Sequence, residues 1–341
     1  MAKQSSGKQN KSSHSSAAQR RENQRQQRQA ATQRTQQQQR NRRKVQRSSN
    51  RGLWIALGTT LVAIAVIIGV FVYISSRSQS STSNTYPTTP ADPAIVQQVT
   101  SVSPSVLAAV GTGSGKVVSV PKKVSGSPPL LKGPTSKPEV FYLGGEFCPF
   151  CAAERWSMLV ALSRFGTFHN LRQTSSSSTD TYPNTPTFSF YHSSYTSQYI
   201  DFVPVEEQSY QGVTLQQLTS DQQQLVNTYD PGSTIPFIDI ANRYTVSGAS
   251  YDPQVLSNQS AQSIASALSN PQSPIAQSIL GTANYLTAAI CESTNQQPAN
   301  VCTNAPIPQV EQALNNASGS NGTQTNPPLA LAADTRRTFH G

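Results

Sequence analysis

Negative charge is almost missing from the start of this chain, and charge of either sign is missing from the stretch that follows. Residues 1–52 hold 14 Lys or Arg against one acid, Glu22, and residues 53–74 hold no charge at all. Large apolar side chains are nearly absent from the first 50 residues, which are Gln, Ser and Arg, and such a segment cannot bury enough surface to offset its ordering entropy. Over the 341 residues only 12% are charged and 35% hydrophobic, too polar for one compact domain of that length, so part of the chain is expected to stay unfolded. Cysteine is scarce too. Of the four, Cys148 and Cys151 have two residues between them, whereas Cys291 and Cys302 have ten, so a four-cysteine zinc site lacks its second close pair.

The missing charges divide the chain. The first 52 residues carry a net +13 and the remainder a net −3, so the basic pI belongs to the tail. A basic tract can bind nucleic acid or anionic lipid, but the neighbouring segment supplies a simpler role, that of a solvated cytoplasmic tail whose charge fixes membrane orientation. Nucleic acid is therefore not an expected partner. Leu53 to Ile74 is 22 uncharged residues, enough helix to cross a hydrocarbon core of about 30 Å, with Trp54 and Tyr73 near its two ends. A cleaved signal peptide has a shorter apolar region, of about 7 to 15 residues, and an Ala-x-Ala-like cleavage site. Neither is present, which favours an uncleaved signal anchor in a single-pass protein of the cell membrane. The amino terminus is then cytoplasmic and all four cysteines lie outside.

Residues 75–93, rich in Ser, Thr and Pro, read as a linker, 94–303 as the extracytoplasmic domain, and 304–341 as a second disordered tail. Inside the domain, Ile95, Val99, Val102, Val106, Leu107 and Val110 predict one or two short helices broken near Pro104. Val140 opens a buried strand; Phe188 with Phe190, and Tyr199 to Val203, predict two more. Gln216 to Tyr229 reads as a helix. Ile235-Pro236-Phe237 leads into a strand and a possible hairpin through Asn242-Arg243, and Pro236 by itself reads as a first strand residue. Helices over about 259–268 and 274–291 close the domain.

Between the first strand and its helix lies Gly144-Gly145-Glu146-Phe147-Cys148-Pro149-Phe150-Cys151. Proline at the first helical position makes Cys148 the N-cap and puts Cys151 one turn in, close enough to close a disulfide. A sulfur at the N-cap can accept from the free N–H groups of the first turn and sees the positive end of the helix dipole; both lower a thiol pKa. Ala152, Trp156, Leu159 and Val160 recur as one buried helix face, with Arg164 and Gly166 as stop signals. The pair could be a redox pair, an inert disulfide or half a zinc site; the preceding strand, Pro149 and the late Ile-Pro favour the redox pair, with no metal or bound cofactor. In that reading Cys148, at the exposed tip, attacks, and Cys151 resolves. Glu146 is a candidate for moving protons from Cys151, and His169 reads as a surface residue. Cys291 and Cys302, outside the cytoplasm, read as a structural disulfide, with a relay of electrons to Cys148 and Cys151 as the sharper alternative.

These residues also carry a resemblance. Glu146-Phe147-Cys148-Pro149-Phe150-Cys151 is similar to the acidic-aromatic-CxxC segment of thioredoxins, and Cys-Pro-aromatic-Cys to the centre of glutaredoxins and archaeal protein disulfide oxidoreductases. Thr234-Ile235-Pro236 matches the place where the thioredoxin-like superfamily carries a cis-proline against its active-site disulfide. The phrases FYLGGEFCPFCAAERW, SRFGTF, TIPFID and GTANYLTAAIC, within about residues 90 to 305, resemble a family of membrane-anchored thioredoxin-like proteins described as a domain of unknown function. The resemblance implies an α/β fold: a thioredoxin-like sheet flanked by helices, with an insertion after the CxxC helix and extra carboxy-terminal helices. It implies that Pro236 is cis and that Ile235 offers its backbone to a substrate peptide. The function expected is a membrane-tethered thiol–disulfide oxidoreductase, with protein thiols or disulfides as substrate and a separate redox partner. The alternative is a non-catalytic binding or scaffold module whose Cys148–Cys151 bridge is a permanent staple.

Overall fold

The computed structural model describes residues 88–319. The basic tail, the uncharged run 53–74, most of the linker and residues 320–341 lie outside the described residues. Among the described residues no helix is long and apolar enough to cross a membrane.

The chain enters through β1 (Thr89–Pro90), α1 (Pro93–Thr100), α2 (Pro104–Val110) and β2 (Lys122–Lys123). β3 (Glu139–Gly144) and α3 (Pro149–Ser163) follow, then four short strands, β4 (Gly166–His169), β5 (Arg172–Ser175), β6 (Pro186–Ser189) and β7 (Ser194–Ser197). After β8 (Asp201–Glu206) come α4 (Ser220–Tyr229), the hairpin β9 (Phe237–Ile240) and β10 (Tyr244–Ser247), and α5 (Ala261–Ala267). The last elements are α6 (Pro274–Ser293), α7 (Ala299–Cys302) and α8 (Ile307–Gly319).

The main sheet is mixed, in the order β2-β10-β9-β3-β8, with β3 parallel to β8 and antiparallel to β9. A parallel pair needs a long crossover, and α3 with the β4 to β7 insertion supplies it. Val140-Phe141-Tyr142-Leu143 is apolar without a break because β3 is covered on both faces. Its side chains alternate. Val140 and Tyr142 join the larger core cluster with α3 and α6, while Phe141 and Leu143 join a smaller one with Val226 of α4, Ile235, Phe237 and both cysteines of the CxxC turn.

α3 departs from its sequence pattern. One buried face through Ala152, Trp156, Leu159 and Val160 would leave Glu154 and Arg155 in water, but every residue from Cys151 to Leu162 is buried. Elements pack around the helix on several sides. Trp156 donates from Nε1 to the Pro186 carbonyl at 2.9 Å and meets Phe188 edge-on at 4.9 Å. α6 lies against it too, and α6 is itself buried over most of its 20 residues. The close approach of α6 to the loop after α2 depends on two glycines, since a Cβ at Gly281 would stand 2.6 Å from the Gly113 Cα.

The expected break near Pro104 separates α1 from α2, and Asn284 of α6 donates to the carbonyls of Leu107 and Gly111 at 3.0 and 2.8 Å, closing the end of α2. α4 begins at Ser220 rather than Gln216 because Thr219 and Gln222 form a reciprocal capping box. Two boundaries of the domain are corrected. The linker ends earlier than residue 93: Thr88 is buried, Arg172 bonds its hydroxyl and carbonyl, and β1 pairs with β5. The chain beyond 304 is not a disordered tail as far as 319. Ile307, Val310 and Leu314 fall at i, i+3 and i+7 and are buried against the larger cluster, an apolar stripe diluted by Gln, Asn, Ser and Gly.

Leu314→Ala is expected to lower the unfolding free energy by about 2–5 kcal/mol, read from the urea midpoint. A segment that dangled would give no change.

Candidate functional site

The site is built by the turn out of β3. Close contacts fix both glycines: a Cβ at Gly144 would meet the Tyr142 Oη at 2.1 Å, and one at Gly145 the Phe147 ring at 2.5 Å. The turn delivers Cys148 as N-cap of α3 with Pro149 as first helical residue, and the Cys151 N–H donates to the Cys148 Sγ at 3.3 Å. Both are free cysteines.

The environment of the two sulfurs corrects the sequence reading. Cys148 does not stand at an exposed tip; it and Cys151 are both 0% exposed, within the smaller cluster, beside Phe147, Ile235, Phe237 and the half-buried Phe150. Burial therefore pushes the Cys148 thiol well above its ordinary value, and the side chain of Cys151 adds to the rise. The Cys151 N–H and the charge of Arg155 pull the other way without overcoming it. One N–H and a helix terminus are too little to offset the desolvation of a thiolate in an apolar cluster. The loop after β5 adds a cover: Ser177 N–H donates to the Phe147 carbonyl at 2.8 Å, and Tyr182 lies edge-on to Phe150 at 6.0 Å. The Tyr182 hydroxyl is fastened in turn to Asp252 Oδ1 at 3.2 Å.

Behind the turn is a buried charged group that the sequence reading passed over. Arg155 donates from Nε to Glu206 Oε1 at 2.8 Å and from Nη2 to Oε2 at 2.6 Å, and both side chains are 0% exposed. Such a two-pronged pair is held by geometry as well as charge. The guanidinium carbon stands 5.8 Å from the centroid of the Tyr142 ring. Arg155 Nη1 and Tyr142 Oη are buried without a hydrogen-bond partner. The available signal was spacing: Arg155 follows Cys151 by four positions and Cys148 by seven, which places all three on one side of the helix.

Glu146 belongs to this charged group. It is buried and raised to about 7, first by burial and then by the charge of Glu206. Neither carboxylate oxygen has a partner within hydrogen-bonding geometry; Ser189, Arg155 and the Tyr210 backbone ease the penalty only in part. Glu154, next to Arg155, is satisfied instead by Ser250, whose N–H and Oγ donate at 2.8 and 3.0 Å.

The remaining candidates divide between this place and others. Ile235 is buried in the cluster that holds both thiols, and the Ile235–Pro236 peptide bond is cis. Cys291 and Cys302 form a disulfide, S–S 2.01 Å, that joins the end of α6 to α7. It sits in the larger cluster and is not brought together with Cys148 and Cys151. His169 is exposed on β4, hydrogen-bonded through Nε2 with Thr196 at 3.1 Å. Among the described residues no group of three or more His, Cys, Asp or Glu is placed to hold a metal ion.

Glu139, Glu146, Glu154 and Asp239 all rise to about 7, with burial the largest cause at each. A carboxyl whose pKa is raised by folding makes the unfolded state the better proton donor between the two values. The stability these groups contribute is then complete below about 4.5 and is lost as pH rises through about 7. Urea midpoints are expected to climb as pH falls from 8 to 5, with Glu146→Gln reducing that slope; a flat profile in the wild type would contradict the burial.

Comparisons with curated proteins and with solved structures found no match. Residues 128–292, from the segment before β3 to the penultimate residue of α6, match the family described as Domain of unknown function (DUF929), and over that span the chain is similar to it.

Proposed function

We propose that the domain is a thioredoxin-like thiol–disulfide oxidoreductase, carried on the outer face of a membrane by residues 53–74. The observation that carries the reading is the placement of two free thiols on the first turn of a buried helix, with the Cys151 N–H aimed at the Cys148 sulfur. The chain order supports the fold assignment: β3, α3, parallel β8, α4, then the antiparallel hairpin β9–β10 and α6, with the insertion and the last helices outside that core. Ile235, immediately before β9 and clustered with both thiols, is in position to meet a peptide that reaches the sulfurs.

In the dithiol form, Cys148 loses its proton and its thiolate attacks a substrate disulfide. A Cys148–substrate disulfide forms, the substrate S–S bond breaks, and one substrate thiolate leaves. Deprotonated Cys151 then attacks the Cys148 sulfur, closing the Cys148–Cys151 bond and releasing the second thiolate. Two electrons and two protons pass to the substrate, and a dithiol partner protein resets the pair. Run backwards, the same steps oxidise a substrate dithiol. Because both sulfurs are buried, either direction requires the cover at Phe150 and Tyr182 to move.

Replacing Cys148 with Ser is expected to abolish insulin reduction and oxidative refolding alike, and Cys151→Ser to accumulate a mixed disulfide on Cys148; an undiminished rate in the first variant would remove the proposal. Tyr182→Ala is expected to speed alkylation of Cys148 by iodoacetamide at fixed pH and leave the unfolding free energy within about 1 kcal/mol of wild type. An unchanged alkylation rate would show that the cover lies elsewhere.

A further inference from the structure

The same helix that presents the thiols carries a buried cation that the exchange chemistry leaves unused. Arg155 lies one turn beyond Cys151 and two beyond Cys148, on the side of α3 that both cysteines share. Its guanidinium is fixed by two hydrogen bonds from one edge to Glu206, at 2.8 and 2.6 Å. The other nitrogen, Nη1, is fully buried and has no partner. A buried donor left unsatisfied costs about 1–3 kcal/mol, so its retention needs an explanation.

The charged and titratable groups around it come from every packed element: Tyr142 from β3, Glu206 from β8, Glu146 from the turn, and the two thiols from the start of α3. Glu206 binds Nε and Nη2, leaving Nη1 as the guanidinium nitrogen without a partner. The positive charge of Arg155 acts on both sulfurs, favouring the ionised Cys148 and being favoured in turn by an ionised Cys151.

We infer that Arg155 is a positioning residue for the dithiol: locked by Glu206, it is the internal counter-ion against which a cysteine thiolate forms during exchange. The inference rests on the proposed oxidoreductase reading but concerns ionisation, which is measurable without turnover. A buried thiolate with no cation to oppose it would have to form against most of the desolvation penalty, and Arg155 is the buried cation on its side of the helix. Glu206 then has two opposed effects, holding the arginine in place and partly cancelling its charge.

That opposition gives the test. In the intact protein, the Cys148 13Cβ chemical shift is followed from pH 6 to 11 in wild type, Arg155→Lys, Arg155→Met, Glu206→Gln and the paired Arg155→Met/Glu206→Gln variant. Arg155→Met is expected to reduce the thiolate fraction at a given pH about tenfold, as loss of an adjacent opposite charge does. Glu206→Gln is expected to raise it, and Arg155→Lys to keep it within about threefold of wild type. The paired variant removes both charges with little change of volume, folds where a single change does not, and is expected to lower the fraction. An Arg155→Met variant, or a paired variant, that titrates like wild type would overturn the inference, because a merely structural ion pair predicts those results. The Cys148→Ser activity assay stands apart from this titration, so failure of the oxidoreductase reading and failure of the Arg155 assignment are told apart.

Discussion

The structure turns on the cost of placing ions where water does not reach. α3 is enclosed on all sides and yet carries Glu154 and Arg155 side by side at 0% exposure. Neither can be inside unless something specific meets it, and the surrounding chain is arranged to do so: the end of β8 brings Glu206 to Arg155, and the segment after β10 brings Ser250 to Glu154. A hydrophobic helix in that position could dock in several registers. A helix with two buried polar side chains docks where Glu206 and Ser250 can meet them, which ties the placement of the turn that carries the thiols to those two contacts.

The thiols feel the same constraint from the other side. At the tip of a helix a sulfur gains from a free N–H and from the dipole, and both features are present in the sequence and in the fold. Enclosure in an apolar cluster outweighs them, which is why Cys148 holds its proton more tightly than an ordinary cysteine. Access to the thiols is then governed by what changes the enclosure. The loop after β5, seated on Phe147 and Phe150, is a piece of the insertion that touches the CxxC turn.

Much of the active turn was legible because its chemistry is local. Gly144-Gly145, Pro149 as first helical residue and the spacing of Cys148 and Cys151 each act within one turn of chain, and the N-cap geometry follows from them. The pairing of Cys291 with Cys302 was legible because they are the two cysteines left over, with ten residues between them. Burial was not, because it is decided by elements far away in sequence: a single apolar face on α3 says nothing about β6 or α6 arriving on its other sides. Glu206 ends a strand that the sequence reading carried only to Val203, so nothing local marked it as a partner for Arg155. β4, β5 and β7 read Gly-Thr-Phe-His, Arg-Gln-Thr-Ser and Ser-Tyr-Thr-Ser, with little alternation of apolar residues, and α8 hides three core contacts among Asn, Gln and Ser.

One consequence concerns the order in which the chain can assemble. Arg155 waits for a carboxylate 51 residues downstream, and Glu154 for a serine 96 residues downstream. Until β8 has emerged from the ribosome, enclosing the first helix of the reactive turn would strand a bare cation in oil. Contacts of such long range are slow to form, since the intervening loop must close before they repay its entropy. When the two cysteines are enclosed is thus set by how quickly the strand behind them is delivered.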